Sequence, residues 1–231
     1  MTFPGGTSIS RLAAYEQGGT PHLHTVSTEA YVVITGVGAV QTLDASGFRE
    51  TPVMAGSTVW FGPGVIHRAI NHGDLRVVVV MSNAGLPEAG DAVLTFLPDV
   101  IADPERYAAA ATIPATGEAD DAVRRRRALA VTGFDRLVTA MRDGNPGPLE
   151  TFYDSAVALV RPRVAGWREI WESTVEPETR RAAAMLDALG RGDGDHLRAG
   201  SAQESPPGRQ TRWGMCGHLH PLEIQPDVSG T

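Results

Sequence analysis

Apolar and polar residues alternate with a period of two over the first part of the chain. The alternation is clearest in residues 30–35, 58–61 and 75–81. Segments typical of turns, rich in glycine, proline and asparagine, lie between these alternating stretches at 62–64 and 71–74. Short strands separated in this way predict an antiparallel sandwich or barrel.

After residue 98 the apolar positions recur every three or four residues, which is typical of helices. Asp103 followed by Pro104 predicts the start of a short helix, because aspartate caps a helix and proline suits its first turn. Longer helices are expected over residues 119–141, from residue 148 onwards, and over 177–189.

The helix that begins near residue 148 carries one apolar stripe, with spacings of three and four residues. Its members are Tyr153, Val157, Val160, Val164, Trp167 and Trp171. Pro162 should kink or split this helix because it removes a backbone donor. We expect the stripe to pack against the barrel or a second subunit.

These patterns divide the chain into four parts. Residues 1–98 form the β-barrel and residues 99–190 a helical extension. Residues 191–212 are rich in Gly, Ser, Asp and Pro and are expected to form a flexible linker. The segment 213–231 begins with apolar residues, so it is expected to return to the body as a strand. The predicted fold class is mainly β with α.

The composition excludes several classes of partner. Hydrophobic residues make up 42% of the 231, enough for a packed core, and the net charge of −7 disfavours nucleic acid. The longest strongly apolar run, 77–81, is far too short to cross a bilayer. A single cysteine allows no intramolecular disulfide, and the first residues lack a signal-peptide pattern. We therefore expect a cytoplasmic protein without a membrane or nucleic-acid partner.

Four residues of the barrel region have the chemistry of a metal site. His22 and His24 are two apart on a strand, so both side chains point to the same face. Glu29 stands at the start of the next strand, and His67 follows the turn at 62–64. Three imidazoles and one carboxylate suit one divalent transition-metal ion: Fe, Mn, Ni, Co, Cu or Zn.

The spacing of these residues resembles the two motifs of the cupin superfamily. The first motif is matched by His22, Leu23, His24, four residues, Glu29, six residues and Gly36. The second is matched by Gly56, five residues, Gly62, Pro63, Gly64, two residues, His67, three residues and Asn71. Gly62 stands where the family has proline, and Glu16 stands where a glycine is usual, which bears on loop shape rather than on the ligands.

The resemblance implies a double-stranded β-helix, or jelly roll, with a small-molecule site inside the barrel. It implies a metal-dependent enzyme of the dioxygenase or isomerase/lyase type. The alternative is a non-catalytic module that binds a small molecule or has a regulatory role. The fold alone does not decide between an enzyme and such a module. A homodimer is the expected assembly.

Two further groups of residues are candidates for the site. Tyr31 shares strand parity with Glu29, so it should point into the barrel, where it could donate a hydrogen bond to substrate or simply fill the core. Cys216, His218 and His220 alternate along one segment. They could form a second metal site or a cap over the barrel mouth, and both alternatives stay open here.

Overall fold

A computed structural model describes residues 4–114, 119–205 and 211–222 of the chain. The strands in these ranges are β1 (Ser8–Ala14), β2 (His22–His24), β3 (Glu29–Asp44), β4 (Gly47–Met54), β5 (Thr58–Phe61), β6 (Ile66–Met81), β7 (Ala92–Leu94), β8 (Arg212–Trp213) and β9 (Gly217–Pro221). The helices are α1 (Pro98–Ile101), α2 (Pro104–Ala111), α3 (Ala119–Arg142), α4 (Gly147–Val160), α5 (Val164–Thr174), α6 (Glu176–Gly190) and α7 (Asp195–Arg198). Short 3-10 turns occupy Pro4–Gly6 and Arg161–Arg163.

Two long antiparallel strands, β3 and β6, run through the whole barrel. Each has 16 residues, and their register shifts between Val33 and Gly38, where both strands bend. Gly36 has a φ of +80° at this bend, and a Cβ there would collide with the backbone of Gly73 and Asp74. A glycine is therefore required at this position of β3.

The bend divides the strands into two sheets that enclose one interior. In the first sheet the order is β5, β3, β6, β1, β9 and β8, and in the second it is β4, β3, β6, β2 and β7. The interior holds apolar side chains such as Leu12, Val33 and Val77. This antiparallel barrel with helices after it confirms the predicted fold class.

The helices cover the outer face of the second sheet. Phe134 of α3 is 1% exposed and lies 6.2 Å from the ring of Phe48, between ring centroids. The guanidinium of Arg68, on β6, stands over the same Phe134 ring at 5.2 Å. Gly133 contacts the backbone of Thr95 so closely that a Cβ would not fit. The second apolar core therefore lies between this sheet and the helices.

The stripe predicted on the third helix is only partly buried within the single chain, and the helix is broken in its middle. The 3-10 turn Arg161–Arg163 separates α4 from α5 and changes the direction in which the side chains point. Trp167 is 5% exposed, but Val157 and Val164 are 62% and 46% exposed. The buried face of α4 carries Leu149, Phe152, Ala156 and Val160. Within this single chain the stripe does not form one continuous buried face, and its packing against a second subunit stays a prediction.

The chain returns to the barrel at its C-terminal end. Strand β9 pairs with β1 in antiparallel register, from Ser10 opposite Pro221 to Ala14 opposite Gly217. Helix α7 lies within the segment predicted as a linker. Residues 206–210 and 223–231 lie outside the described residues, and the division of the chain into four parts stays a prediction.

Trp167→Ala should lower the free energy of unfolding by roughly 3 kcal/mol or more, since it removes a buried aromatic side chain and leaves a cavity. The matched control on the same helix is Val164→Ala, which should change stability by less than about 0.5 kcal/mol because its side chain is half exposed. Denaturant unfolding of both variants measures the difference. Equal effects would contradict the packing described here.

Candidate metal centre

Four buried side chains from three strands meet inside the barrel. His22 on β2 stands directly opposite His67 on β6, and Glu29 opens β3. Exposure is 2% for His22, 6% for His24, 5% for Glu29 and 1% for His67. One nitrogen or oxygen from each of the four lies within 4.8 Å of those of the other three. The residues that the sequence marks as ligands are thus brought together.

Each imidazole is oriented by a hydrogen bond at its Nδ1 atom. Nδ1 of His22 lies 2.9 Å from the carbonyl oxygen of Thr20, and Nδ1 of His67 lies 3.0 Å from that of Val65. A carbonyl oxygen only accepts, so both Nδ1 atoms donate, and in a neutral ring the lone pair is then on Nε2. This arrangement presents the Nε2 atoms as possible metal ligands.

The atoms at the centre of the cluster are close to one another, but two of them have no hydrogen-bond partner. Oε2 of Glu29 lies 2.9 Å from Nε2 of His67 and 3.3 Å from Nε2 of His24. Even so, Oε2 of Glu29 and Nε2 of His67 have no hydrogen-bond partner. Leaving such a buried polar atom unpaired costs about 1–3 kcal/mol. A divalent cation fits, because it would accept electron pairs from all four side chains.

The charges of the cluster favour a cation. Burial would raise the pKa of the Glu29 carboxyl, but the imidazoles of His24 and His67 outweigh it and hold that pKa well below its usual range. Burial, together with the neighbouring imidazoles, also holds the pKa of His22 well below its ordinary value. At neutral pH the cluster therefore contains an ionised carboxylate and a neutral His22 ring.

Asp91 is a functional candidate that the sequence does not single out. Its carboxylate is completely buried, 2.6 Å from Nδ1 of His24, and accepts a hydrogen bond from the backbone N–H of Ser27 at 3.0 Å. Burial alone would lower the pKa of His24, but contacts with Asp91 and Glu29 outweigh it and raise the pKa to about 10, so a metal ion that binds this ring must displace its proton. The residue comes just before β7, and only the pairing of β7 with β2 reveals its position.

Tyr31 points into the barrel, as its parity with Glu29 predicts. It is 1% exposed, and its ring packs edge-on against Phe61 at 5.4 Å between centroids. Phe61 in turn stacks on the His67 ring at 3.8 Å. Burial, with Cys216 and Glu29 nearby, holds the pKa of Tyr31 well above its ordinary value. Its hydroxyl therefore stays protonated and can donate a hydrogen bond.

The three alternating residues near the C-terminus do not form a second metal site. Cys216 is buried in the barrel core, whereas His218 lies against the rings of Tyr15 and Trp213. In the part of the chain that the structure describes, the cluster around Glu29 is the one group of side chains that could hold a metal. The alternative of a second site is therefore wrong for these residues.

The same segment closes one side of the barrel. The backbone N–H of Thr20 donates to the carbonyl oxygen of Met215 at 2.8 Å, and that of Tyr15 donates to the carbonyl oxygen of Cys216 at 3.1 Å. A Cβ on Gly19 would come within 2.5 Å of Sγ of Cys216. The segment therefore packs tightly against the chain that leads into β2.

Residues 8–82 match the family model of the cupin domain. This part of the chain, about a third of its length, is therefore similar to a cupin domain. The predicted resemblance is confirmed over the strands that carry the cluster. Asp91, Cys216 and the helices lie outside the matched residues. No curated protein is a significant match to the chain.

Several solved structures resemble the cupin part of the chain at low identity. The Streptomyces protein Pac13, solved with uridine, is 16% identical, and the match covers 40% of this chain and 69% of that one, with a TM-score of 0.33. Pac13 is described as a nucleoside dehydratase. A Klebsiella pneumoniae protein with a double-stranded β-helix domain is 22% identical, with coverage of 37% and 76% and a TM-score of 0.29. A cupin-2 protein of Shewanella frigidimarina is 15% identical, with coverage of 35% and 72% and a TM-score of 0.30.

Asp91→Asn should lower the affinity for a divalent metal by about 10- to 100-fold. The reason is that the hydrogen-bond partner at Nδ1 of an imidazole that binds a metal fixes the orientation and the basicity of the ring. Competition with a chromophoric chelator measures the affinity. Asp99→Asn is the matched control, since Asp99 is exposed and pairs with Arg106. Equal affinities of the two variants would contradict the role given to Asp91.

Cys216 should be unreactive towards a thiol reagent in the folded protein. Burial raises the pKa of its thiol to about 11, so little thiolate exists at about pH 8. In denaturant the chain should release one equivalent of reactive thiol, since it has one cysteine. Immediate reaction without denaturant would show that the segment around Cys216 does not close the barrel.

Proposed function

We propose that the cupin domain binds one divalent transition-metal ion through His22, His24, Glu29 and His67. The observation that carries this proposal is the set of buried, inward-facing ligand atoms, two of which have no hydrogen-bond partner. Hydrogen bonds at Nδ1 orient the rings for this task. The donor set of three nitrogens and one oxygen is compatible with Fe, Mn, Ni, Co, Cu or Zn.

We further propose that the protein is a metal-dependent enzyme acting on a small molecule, of the dioxygenase or isomerase/lyase type. An ion held at the cluster would polarise a substrate oxygen as a Lewis acid. The chain itself would supply a dry, low-dielectric interior, the hydroxyl of Tyr31 as a hydrogen-bond donor, and Phe61 to hold the His67 ring in place. Tyr31 is therefore the candidate catalytic residue.

The second candidate is a non-catalytic module that binds a small molecule or has a regulatory role. The cluster leaves this alternative open, because buried metal ligands can hold a small molecule without converting it. Turnover that depends on added metal, measured as substrate loss or oxygen consumption, would distinguish an enzyme from a binding module. Binding of a ligand without any turnover would favour the module.

The expected homodimer and cytoplasmic location stay proposals. Among the described residues, no helix combines the length and the apolar character needed to cross a membrane.

Protein purified without added metal, or loaded with one equivalent and then dialysed, should contain about one ion per chain by elemental analysis. Replacing His22 and His24 together by alanine should abolish this content, because two of three imidazole ligands are lost. His72→Ala is the matched control, since His72 lies on β6 outside the cluster and is exposed. Circular dichroism reports whether each variant is folded. A folded double variant that kept one ion per chain would contradict the proposed site.

A further inference from the structure

A cavity lies between three helices of the extension and the segment that leaves β7. Its volume is about 360 Å³, and residues of α1, α3 and α4 line it together with Phe96 and Leu97. Ligand pockets commonly have volumes of roughly 300–1,000 Å³. The cavity therefore has room for a small molecule. We call it the helical cavity.

Two helices each present one face to the helical cavity. The lining residues of α3 are 133, 136 and 137, and those of α4 are 148, 151, 152 and 155. Residues three and four apart share a face of a helix, so each set forms one stripe. A Cβ on Gly133 would collide with the carbonyl oxygen of Thr95, which fixes α3 against the segment that precedes Phe96. The walls are therefore held in place by close helix packing.

Most of the wall is apolar. Four buried side chains contribute to it: Phe96, Ile101, Leu137 and Phe152. The two hydroxyls of the wall are engaged within α4. Thr151 donates to the carbonyl oxygen of Gly147 at 2.9 Å, and Ser155 donates to that of Thr151 at 2.8 Å. A ligand inside the cavity would therefore meet mainly hydrocarbon.

Arg136 is the one charged residue of the lining. It is exposed, so it marks the side of the cavity that faces water. Glu150 and Asp154 belong to α4 but do not line the cavity. Within the described ranges Arg136 forms no ion pair, unlike Arg124 on the same helix, which pairs with Asp121. A guanidinium can bind a carboxylate through two parallel hydrogen bonds.

We propose that the helical cavity binds a small apolar carboxylic acid, with its hydrocarbon part inside and its carboxylate on Arg136. Charge complementarity selects this class, because a cationic ligand would be repelled by Arg136. A molecule with several polar groups would lose hydrogen bonds to water against the apolar wall. The metal ligands belong to β2, β3 and β6, which do not line the cavity, so the inference does not depend on metal binding.

Isothermal titration calorimetry of the full chain with octanoate tests the proposal. We expect saturable binding with a dissociation constant of about 0.1–1 mM. The affinity should rise about fourfold per methylene from hexanoate to octanoate, since each methylene is buried. Octylammonium, which has the same chain length and the opposite charge, should bind at least about fivefold more weakly than octanoate.

Two variants test the location of the binding site. Arg136→Gln should weaken octanoate binding about fivefold, because it removes the cationic partner of the carboxylate. Arg124→Gln is the matched control, since Arg124 is an exposed arginine of α3 outside the lining, and it should leave the affinity unchanged. Ser155→Leu places a larger side chain in the cavity and should weaken octanoate binding at least about tenfold. Circular dichroism reports whether each variant is folded.

The absence of saturable octanoate binding up to about 10 mM would overturn the proposal. Equal affinities for octanoate and octylammonium would overturn it too, since Arg136 would then not select the charge of the ligand. A third contrary result is octanoate binding that folded Arg136→Gln and Ser155→Leu both leave unchanged. The carboxylate would then be bound elsewhere, for example by a metal ion in the barrel.

Discussion

The burial of the Glu29 carboxylate is the constraint on which the rest of the barrel depends. Taking a charged group out of water costs several kcal/mol unless opposite charge and hydrogen bonds compensate. The barrel places Nε2 of His24 and of His67 within 3.3 Å of this carboxylate, but Oε2 of Glu29 has no hydrogen-bond partner. A divalent cation at this point would compensate the charge and bring all four side chains into a single coordination sphere.

Strand pairing on either side of β2 makes this convergence possible. The strand has only three residues, and it is held between β6 and β7. Pairing with β6 sets His22 opposite His67, while pairing with β7 brings Asp91 against His24. The imidazole positions therefore depend on residues well beyond the motifs, including the segment around Cys216 that packs against the entry to β2.

Much of the cluster could be predicted from sequence because its residues obey local rules. Two histidines two apart on a strand must share a face, and Gly36 marks a bend that admits no side chain. Asp91 could not be predicted, because its contact with His24 joins residues 67 apart and follows no local spacing. Within the single chain the apolar stripe is exposed at Val157, because α4 buries the neighbouring face through Phe152 and Ala156. It is exposed again at Val164, where a 3-10 turn changes the phase between two helices and periodicity assumes that the phase is kept.

X-ray absorption spectroscopy of the metal-loaded protein tests the central claim most directly, because it reports the atoms bound to the ion rather than its amount. The sample is the full chain with its co-purifying metal or, if none is present, with one equivalent of Co²⁺. The account predicts a first shell of nitrogen and oxygen at about 2.0–2.2 Å, with the outer-shell scattering of about three imidazole rings. A shell of oxygen atoms without imidazole scattering would contradict it, since the ion would then be bound away from His22, His24 and His67.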